Sequence, residues 1–197
     1  MPPSLTTLPN LMTIARIVLI LPVVVLMLIP QEWAAWAALV LFILAAITDW
    51  LDGYLARRSK QISLFGVCFD PIADKLLISA VLVVMLSTDR LTAWGFLPAL
   101  LIMLREVAVS GLREFLAMMG NTMPVIRLAK WKTATQMVAL ALLILSDPRV
   151  PNAPPAWPGD IALWLAAVLS LVSGWDYLRG AMPHLTSTSN SSTSVRR

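Results

Sequence analysis

Long apolar runs dominate this 197-residue sequence and limit what it can fold into. A helix that crosses the hydrocarbon core of a bilayer needs about 20 predominantly apolar residues, and apolar runs of that length are typical of such helices. Hydrophobic residues make up 58% of the chain, which excludes an ordinary soluble domain. We predict an all-α membrane protein of six transmembrane helices, at roughly 12–30, 34–56, 67–87, 92–116, 131–146 and 160–179.

Short polar and proline-rich segments separate these runs, and such segments are typical of aqueous loops between membrane helices. The N-terminus lacks the basic region and cleavage site of a signal peptide, so we expect the first apolar run to be a retained helix. The last residues, TSTSNSSTSVRR, form a low-complexity polar segment. The sequence therefore predicts one membrane domain over residues 1–185 and a disordered tail over 186–197.

The basic residues are unevenly divided between the two ends of the predicted helices. If the N-terminus is cytoplasmic, 13 of the 15 lysines and arginines lie at cytoplasmic ends, and only Arg90 and Arg149 lie on the opposite side. Such an excess is characteristic of cytoplasmic loops. We therefore predict that both termini are cytoplasmic. Orientation and anionic headgroups then account for the basic pI without a nucleic-acid partner.

Four of the eleven acidic residues, Asp49, Asp52, Asp70 and Asp74, lie close together at the cytoplasmic mouth of the second and third helices. The first two are spaced i, i+3, and Gly66, Asp70 and Asp74 repeat every four residues, so each set shares a helix face. A carboxylate at mid-membrane costs about 2.5–3.5 kcal/mol, and neighbouring carboxylates also repel. Divalent cations offset both effects, so the pattern predicts a site for two Mg²⁺ or Mn²⁺ ions and phosphoryl-group chemistry.

Two other interpretations of these carboxylates stay open at this point. Asp70 could cap a helix whose first residue is Pro71, which does not exclude metal binding by the same oxygens. The aspartates could also line a divalent-cation channel or transporter. A pore should place acidic residues across the membrane, whereas these four lie at one mouth.

The stretch resembles the motif of the CDP-alcohol phosphotransferase family, D-x2-D-G-x2-A-R-x8-G-x3-D-x3-D. The resemblance implies six transmembrane helices, a homodimer in the bacterial cytoplasmic membrane, and transfer of a phosphatidyl or related group from a CDP-linked donor to an alcohol. It also implies that the four aspartates hold two metal ions and that Asp74 is the general base. The residues it assigns to the donor, CDP-diacylglycerol, are Asp49, Gly53, Ala56, Arg57 and Gly66.

The acceptor alcohol must be inferred from residues outside this motif. The segments LPNLMTIARI, REVAVSGLREFLA and RLAKWKTATQ resemble the branch of the family that makes phosphatidylglycerophosphate, which implies glycerol 3-phosphate as the acceptor. Its phosphate needs cations beyond the metals, and Arg113, Lys130 and Lys132 are the best placed. Phosphatidylserine, phosphatidylinositol-phosphate and cardiolipin synthases stay open as alternatives, and each basic residue could instead be an ordinary cytoplasmic flank.

Several neighbouring residues have two interpretations each. Arg105 and Glu106 could form a buried structural pair, because an unpaired charge at that depth is costly. Lys130 and Lys132 point about 200° apart in a regular helix, so one of them could face the headgroups. Residues at helical spacing in the first helix could line the site, although the first of them could equally be a cap; these are Asn10, Thr13 and Arg16.

Overall fold

The structure, a computed structural model, describes residues 8–59, 64–120 and 127–187. Within these ranges the backbone alone is described for residues 8–9, 49–59, 64–68, 70, 127–130 and 184–187. All of the elements in the described part are helices, as predicted for an all-α membrane protein. They are α1 (Leu8–Leu28), α2 (Glu32–Ser59), α3 (Leu64–Ser87), α4 (Ala93–Met118), α5 (Arg127–Leu145) and α6 (Trp157–Ser187).

Each of these helices coincides with one of the six predicted spans, with ends that differ by up to eight residues, and several begin about a turn earlier than the apolar run. Helix α6 ends at Ser187, so helix covers the first two residues of the predicted tail. The rest of that tail, residues 188–197, lies outside the described residues. Polar residues at the ends of a membrane helix continue the backbone ladder into the headgroup region, which is why hydropathy underestimates helix length here.

Helix α3 begins at Leu64, about two turns before Pro71, and continues to Ser87. The interpretation in which Asp70 caps a helix starting at Pro71 is therefore wrong. Proline inside a helix removes one backbone hydrogen bond, but membrane helices tolerate it because neighbouring groups satisfy the freed carbonyl. Prolines also lie inside α1, α4 and α6, at Pro22, Pro98 and Pro183.

Close packing of small residues holds the helices together. Helix α1 packs against α2 and α3, α4 packs against α6, and α5 packs against both α2 and α6. A methyl group added at Gly159 of α6 would lie 2.6 Å from the Cγ of Leu143 on α5, so glycine is required for this approach. Many buried residues of the core are alanines, which allow helices to approach closely in lipid.

The outer surface of the bundle is apolar. Three described segments are long and apolar enough to cross a bilayer, namely Asn10–Leu28, Ala93–Met118 and Trp157–Pro183. Shorter apolar segments, Glu32–Thr48 and Trp131–Leu145, lie in α2 and α5. Large side chains point outward along these helices, and Leu21 of α1 is 68% exposed. An apolar exterior of this extent is what lipid contact requires, and the protein is a multi-pass membrane protein.

Two arginines and an aspartate join three parts of the chain at the end of the bundle opposite the aspartate stretch. Arg90 and Asp147 are fully buried and form a 2.6 Å ion pair. Arg149 donates to both carboxylate oxygens of Asp147, from Nε at 2.9 Å and from a terminal nitrogen at 2.9 Å. Both arginines also donate to the carbonyl of Met27, and Arg90 donates to that of Ile144.

The Arg90–Asp147–Arg149 cluster donates hydrogen bonds to backbone carbonyls that have no donor within their own helix. Met27 and Ile144 lie in the last turns of α1 and α5, where carbonyl oxygens have no intrahelical donor. Burial alone raises the pKa of the Asp147 carboxyl, but hydrogen bonds from Arg149 and the charge of Arg90 outweigh it and hold the pKa below its ordinary value. The cluster therefore stabilises the folded state when Asp147 is ionised.

We expect Asp147→Asn to lower the stability of the protein by about 3–5 kcal/mol, because it leaves the buried guanidinium of Arg90 without its counter-ion. Since folding depresses the Asp147 pKa, its contribution is fully present above the unfolded pKa of about 3.9 and is lost as pH falls through the lower folded pKa. Thermal unfolding in detergent across pH measures both effects. The control is Asp89→Asn, on an exposed carboxylate whose positive φ of 54° asparagine tolerates.

An Asp147→Asn variant as stable as the wild type would contradict this account of the cluster. So would a variant that loses stability with falling pH as steeply as the wild type does.

Candidate active site

The aspartate stretch occupies the end of α2 and the beginning of α3. Asp49, Asp52, Gly53, Ala56 and Arg57 lie in the last turns of α2, which is helical to Ser59. Gly66, Asp70 and Asp74 lie on α3, so their four-residue spacing falls on one continuous helix row. The helical backbone predicted for both halves is therefore present. The side chains of this set lie outside the described residues, apart from that of Asp74.

Asp74 is half-buried and lies next to a polar connection to α4. The adjacent Lys75 donates to the hydroxyl of Ser110 on α4. That hydroxyl donates in turn to Glu114, at 3.2 Å. Asp74 also interacts electrostatically with Lys132 of α5. The predicted base thus lies among groups from three helices rather than on an isolated face.

Glu106 of α4 is the acidic centre of a buried charged group. It accepts a hydrogen bond from Lys132 and lies 3.4 Å from a guanidinium nitrogen of Arg105. Only 6% of the surface of Lys132 is exposed, so this ammonium is held inside the bundle by an opposite charge. The pairing predicted for Arg105 and Glu106 is confirmed, and Lys132 is a third member that the spacing did not reveal.

Helix α6 fixes the orientation of Arg105. Its guanidinium donates to the carbonyl of Ser170 at 2.9 Å and to the hydroxyl of Ser173 at 2.7 Å. Its Cζ also lies 5.9 Å from the centre of the Tyr177 ring, within reach of a cation–π contact. A side chain at Gly174 would meet Arg105 at 3.2 Å, so this glycine gives the arginine room. Arg105 is therefore a structural tie between α4 and α6.

The three cations predicted for the acceptor phosphate have different surroundings. Arg113 is exposed, and its guanidinium lies 6.0 Å from the ring centre of Tyr177. Lys132 is buried beside Glu106. The side chain of Lys130 lies outside the described residues, but α5 begins at Arg127 and both lysines belong to it. Positions 130 and 132 are two residues apart on this helix and so do not share a face.

The first helix also contributes polar side chains to this end of the interior. Asn10, Thr13 and Arg16 are all buried, on the face that the helical spacing predicted. Because α1 begins at Leu8, Asn10 lies inside the helix rather than before its first residue. Sequence reasoning missed Ser110, Ser173 and Tyr177, because single polar residues in apolar helices have no distinctive spacing.

The donor chemistry of the aspartate stretch fits divalent cations. Carboxylate oxygens are the ligands that Mg²⁺ and Mn²⁺ prefer, and the end of α2 and the beginning of α3 together carry four carboxylates. No cluster of three acidic, histidine or cysteine side chains occurs among the residues whose side chains are described. Asp49, Asp52 and Asp70 are not among those residues, so the predicted ligand set lies mostly beyond them.

Comparison with known proteins extends the similarity well beyond the aspartate stretch. A family model for CDP-alcohol phosphatidyltransferases matches residues 6–172. The protein named CDP-diacylglycerol--glycerol-3-phosphate 3-phosphatidyltransferase in Cereibacter sphaeroides is 40% identical, over 91% of this chain and 97% of its own. Relatives of the same name from Rickettsia typhi and Escherichia coli are 45% and 39% identical, over 87% and 90% of this chain and 95% and 96% of theirs.

Proposed function

The chain belongs to the CDP-alcohol phosphatidyltransferase family, and we propose that it transfers a phosphatidyl group from CDP-diacylglycerol to glycerol 3-phosphate. The products would be phosphatidylglycerophosphate and CMP. The observation that carries this choice of substrates is the similarity, over nearly the full length of the chain, to relatives whose names specify them. Phosphatidyl transfer in phospholipid synthesis is the reaction of the family branch, and it favours a transferase over a divalent-cation channel.

Two rows of carboxylates support metal dependence. Asp49 and Asp52 on α2, with Asp70 and Asp74 on α3, would hold two Mg²⁺ or Mn²⁺ ions. When bound, the ions supply positive charge beside the donor pyrophosphate and the departing CMP. Gly53 of α2 adds no side chain, which lets a nucleotide approach the backbone.

The residues of the chain provide the remaining groups for the reaction. Arg57 is suited to the pyrophosphate, because a guanidinium pairs with phosphate oxygens in a bidentate manner. Asp74 takes the proton of the primary hydroxyl of glycerol 3-phosphate as that oxygen attacks the phosphorus bearing the lipid. The bond from this phosphorus to CMP then breaks. No fixed position of the motif is a serine, a cysteine or a histidine, so direct transfer needs no covalent intermediate on such a residue.

The acceptor phosphate requires cations near Asp74, and two described residues, Lys132 and Arg113, are candidates for this role. Lys132 interacts electrostatically with Asp74 and is buried, so it is held ready in a site with little water. Arg113 lies at the same end of α4, with its guanidinium near Tyr177. Lys130 is the third candidate. Its position on α5 is two residues before Lys132 and therefore on a different face of the helix.

Orientation and assembly complete the proposal. The basic residues concentrated at one end favour a cytoplasmic active site and cytoplasmic termini in a bacterial inner membrane. An active site at the membrane surface suits the acceptor, because glycerol 3-phosphate is a water-soluble anion. The homodimer stays a prediction from the family resemblance, and size-exclusion chromatography with light scattering in detergent tests it.

The proposed reaction is tested by giving purified protein labelled CDP-diacylglycerol and a panel of acceptors that includes glycerol 3-phosphate, serine and inositol 1-phosphate. We expect CMP release and a phosphatidylglycerophosphate product with glycerol 3-phosphate alone. Efficient product formation from serine or inositol 1-phosphate would instead assign the protein to another branch. Metal-dependent ion flux without CMP release would contradict a transferase.

We expect Arg113→Gln, and at least one of Lys130→Gln and Lys132→Gln, to raise the KM for glycerol 3-phosphate about 10- to 150-fold. Loss of a charge-assisted contact to phosphate costs about 1.5–3 kcal/mol, which corresponds to that range. The KM for CDP-diacylglycerol should change little. Steady-state kinetics with each substrate varied in turn provide the measurement.

Arg179→Gln is the matched control for these charge removals. This exposed arginine of α6 lies over Trp175, at 5.3 Å from its ring centre, and is not assigned to the pocket. Unchanged acceptor dependence in all three variants would place the phosphate site elsewhere, with Arg105, Arg127 and Arg16 the next to test.

A further inference from the structure

Gln136 of α5 is a buried amide that the proposed reaction does not yet use. Only 1% of its surface is exposed. Neither its side-chain oxygen nor its side-chain nitrogen has a hydrogen-bond partner in the part of the chain that the structure describes. The side chain therefore brings both a donor and an acceptor into the interior, and no described residue pairs with either of them.

Such an arrangement calls for a ligand. Buried polar groups in folded proteins nearly always have partners, because leaving them unpaired costs free energy that an apolar residue of similar shape would not. Methionine or leucine at this position would extend the apolar face formed by Ala139, Leu140 and Leu143 further along α5. A glutamine there is explained if its amide binds a molecule that enters the bundle.

The position of Gln136 indicates where that molecule would lie. It is four residues after Lys132 and so shares its face of α5, one turn deeper into the bundle. Arg16, Asp74 and Gln136 each lie about two to three turns from the first residue of their helices, which begin at the same end of the bundle. The amide therefore belongs to the layer that holds the proposed base.

The chemistry of an amide selects among the groups of the acceptor. It carries no charge, so it is a weaker partner for phosphate than the nearby lysine and arginine. It is not a base, so it cannot take the proton of the attacking hydroxyl. A hydroxyl that stays unreacted both donates and accepts a hydrogen bond, which matches the two unpaired atoms of Gln136. One helical turn, about 5.4 Å, is comparable with the length of a three-carbon phosphate ester.

We infer that Gln136 binds the 2-hydroxyl of the acceptor and so selects a glycerol phosphate over phosphate esters that lack this group. The inference rests on the proposed function and deepens it. Asp74 and the cations position the two ends of the acceptor, and Gln136 forms hydrogen bonds with the hydroxyl on its central carbon. Gln136 is then a specificity-determining residue, since it contacts the substrate without taking part in bond making or breaking.

The test compares glycerol 3-phosphate with 3-hydroxypropyl phosphate, which lacks only the 2-hydroxyl, in wild type and Gln136→Met. Methionine keeps the shape and removes both polar atoms. We expect the wild type to prefer glycerol 3-phosphate about 10- to 100-fold in kcat/KM, because the analogue leaves a buried amide unpaired. In Gln136→Met we expect that preference to disappear, with kcat/KM for the analogue unchanged or higher.

Thr135→Val is the matched control, because the Thr135 hydroxyl donates to the carbonyl of Trp131 in its own helix, at 2.9 Å. It should keep the wild-type preference. A Gln136→Met variant that still discriminates, or that loses both acceptors equally, would overturn the inference and assign the amide to a buried water or to structure. A wild type that uses both acceptors equally would overturn it as well. A wild type that uses neither, but transfers the phosphatidyl group to another alcohol, would overturn the proposed function.

Discussion

Replacing any one of Asp49, Asp52 and Asp70 by asparagine is expected to lower turnover at least about 100-fold. The amide keeps the size of the carboxylate but removes the negative charge that two divalent ions require. Removal of metal by EDTA should abolish activity in the wild type, and Mg²⁺ or Mn²⁺ should restore it. The same addition should leave the three variants inactive. CMP release from CDP-diacylglycerol measures each effect.

The control for this series is Asp176→Asn, on an exposed carboxylate of α6 outside the motif. It should retain wild-type activity and wild-type metal dependence. Each inactive variant should also elute and unfold like the wild type in detergent, so that lost activity is not lost fold. Normal turnover in EDTA, or in any two of the three variants, would rule out the two-metal site.

The membrane helices could be predicted from the sequence because each needs a long apolar run. Such a run can be recognised without knowing which other helix packs against it. The helical rows of the aspartate stretch were likewise predictable, since spacings of three and four residues are local properties of a helix. The same holds for the pair of Arg105 and Glu106, whose depth in an apolar helix demanded a counter-charge. These features depend on residues close together in the sequence.

The contacts that could not be predicted join residues far apart in the chain. Arg90 and Arg149 looked like ordinary loop charges on the far side of the membrane, yet both bind Asp147 and helix-end carbonyls. The sequence predicts Lys132 as a ligand of the acceptor phosphate, or else as a cytoplasmic flank, and does not predict its burial beside Glu106. Charge patterns state the sign of a residue but not its partner, because the partner depends on how the helices pack.

The first residue of α3 shows a different limit of prediction from the sequence. Asp70-Pro71 is a common start of a helix, so a cap at Asp70 stayed open as an alternative to the predicted span of 67–87. The structure has helix from Leu64 instead, which keeps Gly66 on the same row as Asp70 and Asp74. Tertiary packing tolerates the proline, as in three other helices of this protein.

The general base and the metal ligands should differ in how they fail. We expect Asp74→Asn to lower kcat about 10²- to 10⁴-fold, the usual contribution of a positioned general base, while CDP-diacylglycerol still binds. Asp52→Asn should instead weaken binding of the donor, because its charge would hold the metal beside the pyrophosphate. Donor affinity measured by titration calorimetry in detergent, with and without Mg²⁺, separates the two cases.

The contacts around Asp74 indicate that the Asp74→Asn variant keeps its fold, so its activity and donor binding can be compared directly with those of Asp52→Asn. Its electrostatic partner Lys132 also pairs with Glu106, so loss of the Asp74 carboxylate does not strand a buried ammonium. Asp74→Asn should therefore fold normally, and Ser110→Ala, which removes the hydroxyl contacted by Lys75, is the control for a local packing change. If Asp74→Asn lost donor binding as fully as Asp52→Asn, Asp74 would belong to the metal ligands and the proton would have to leave through another group.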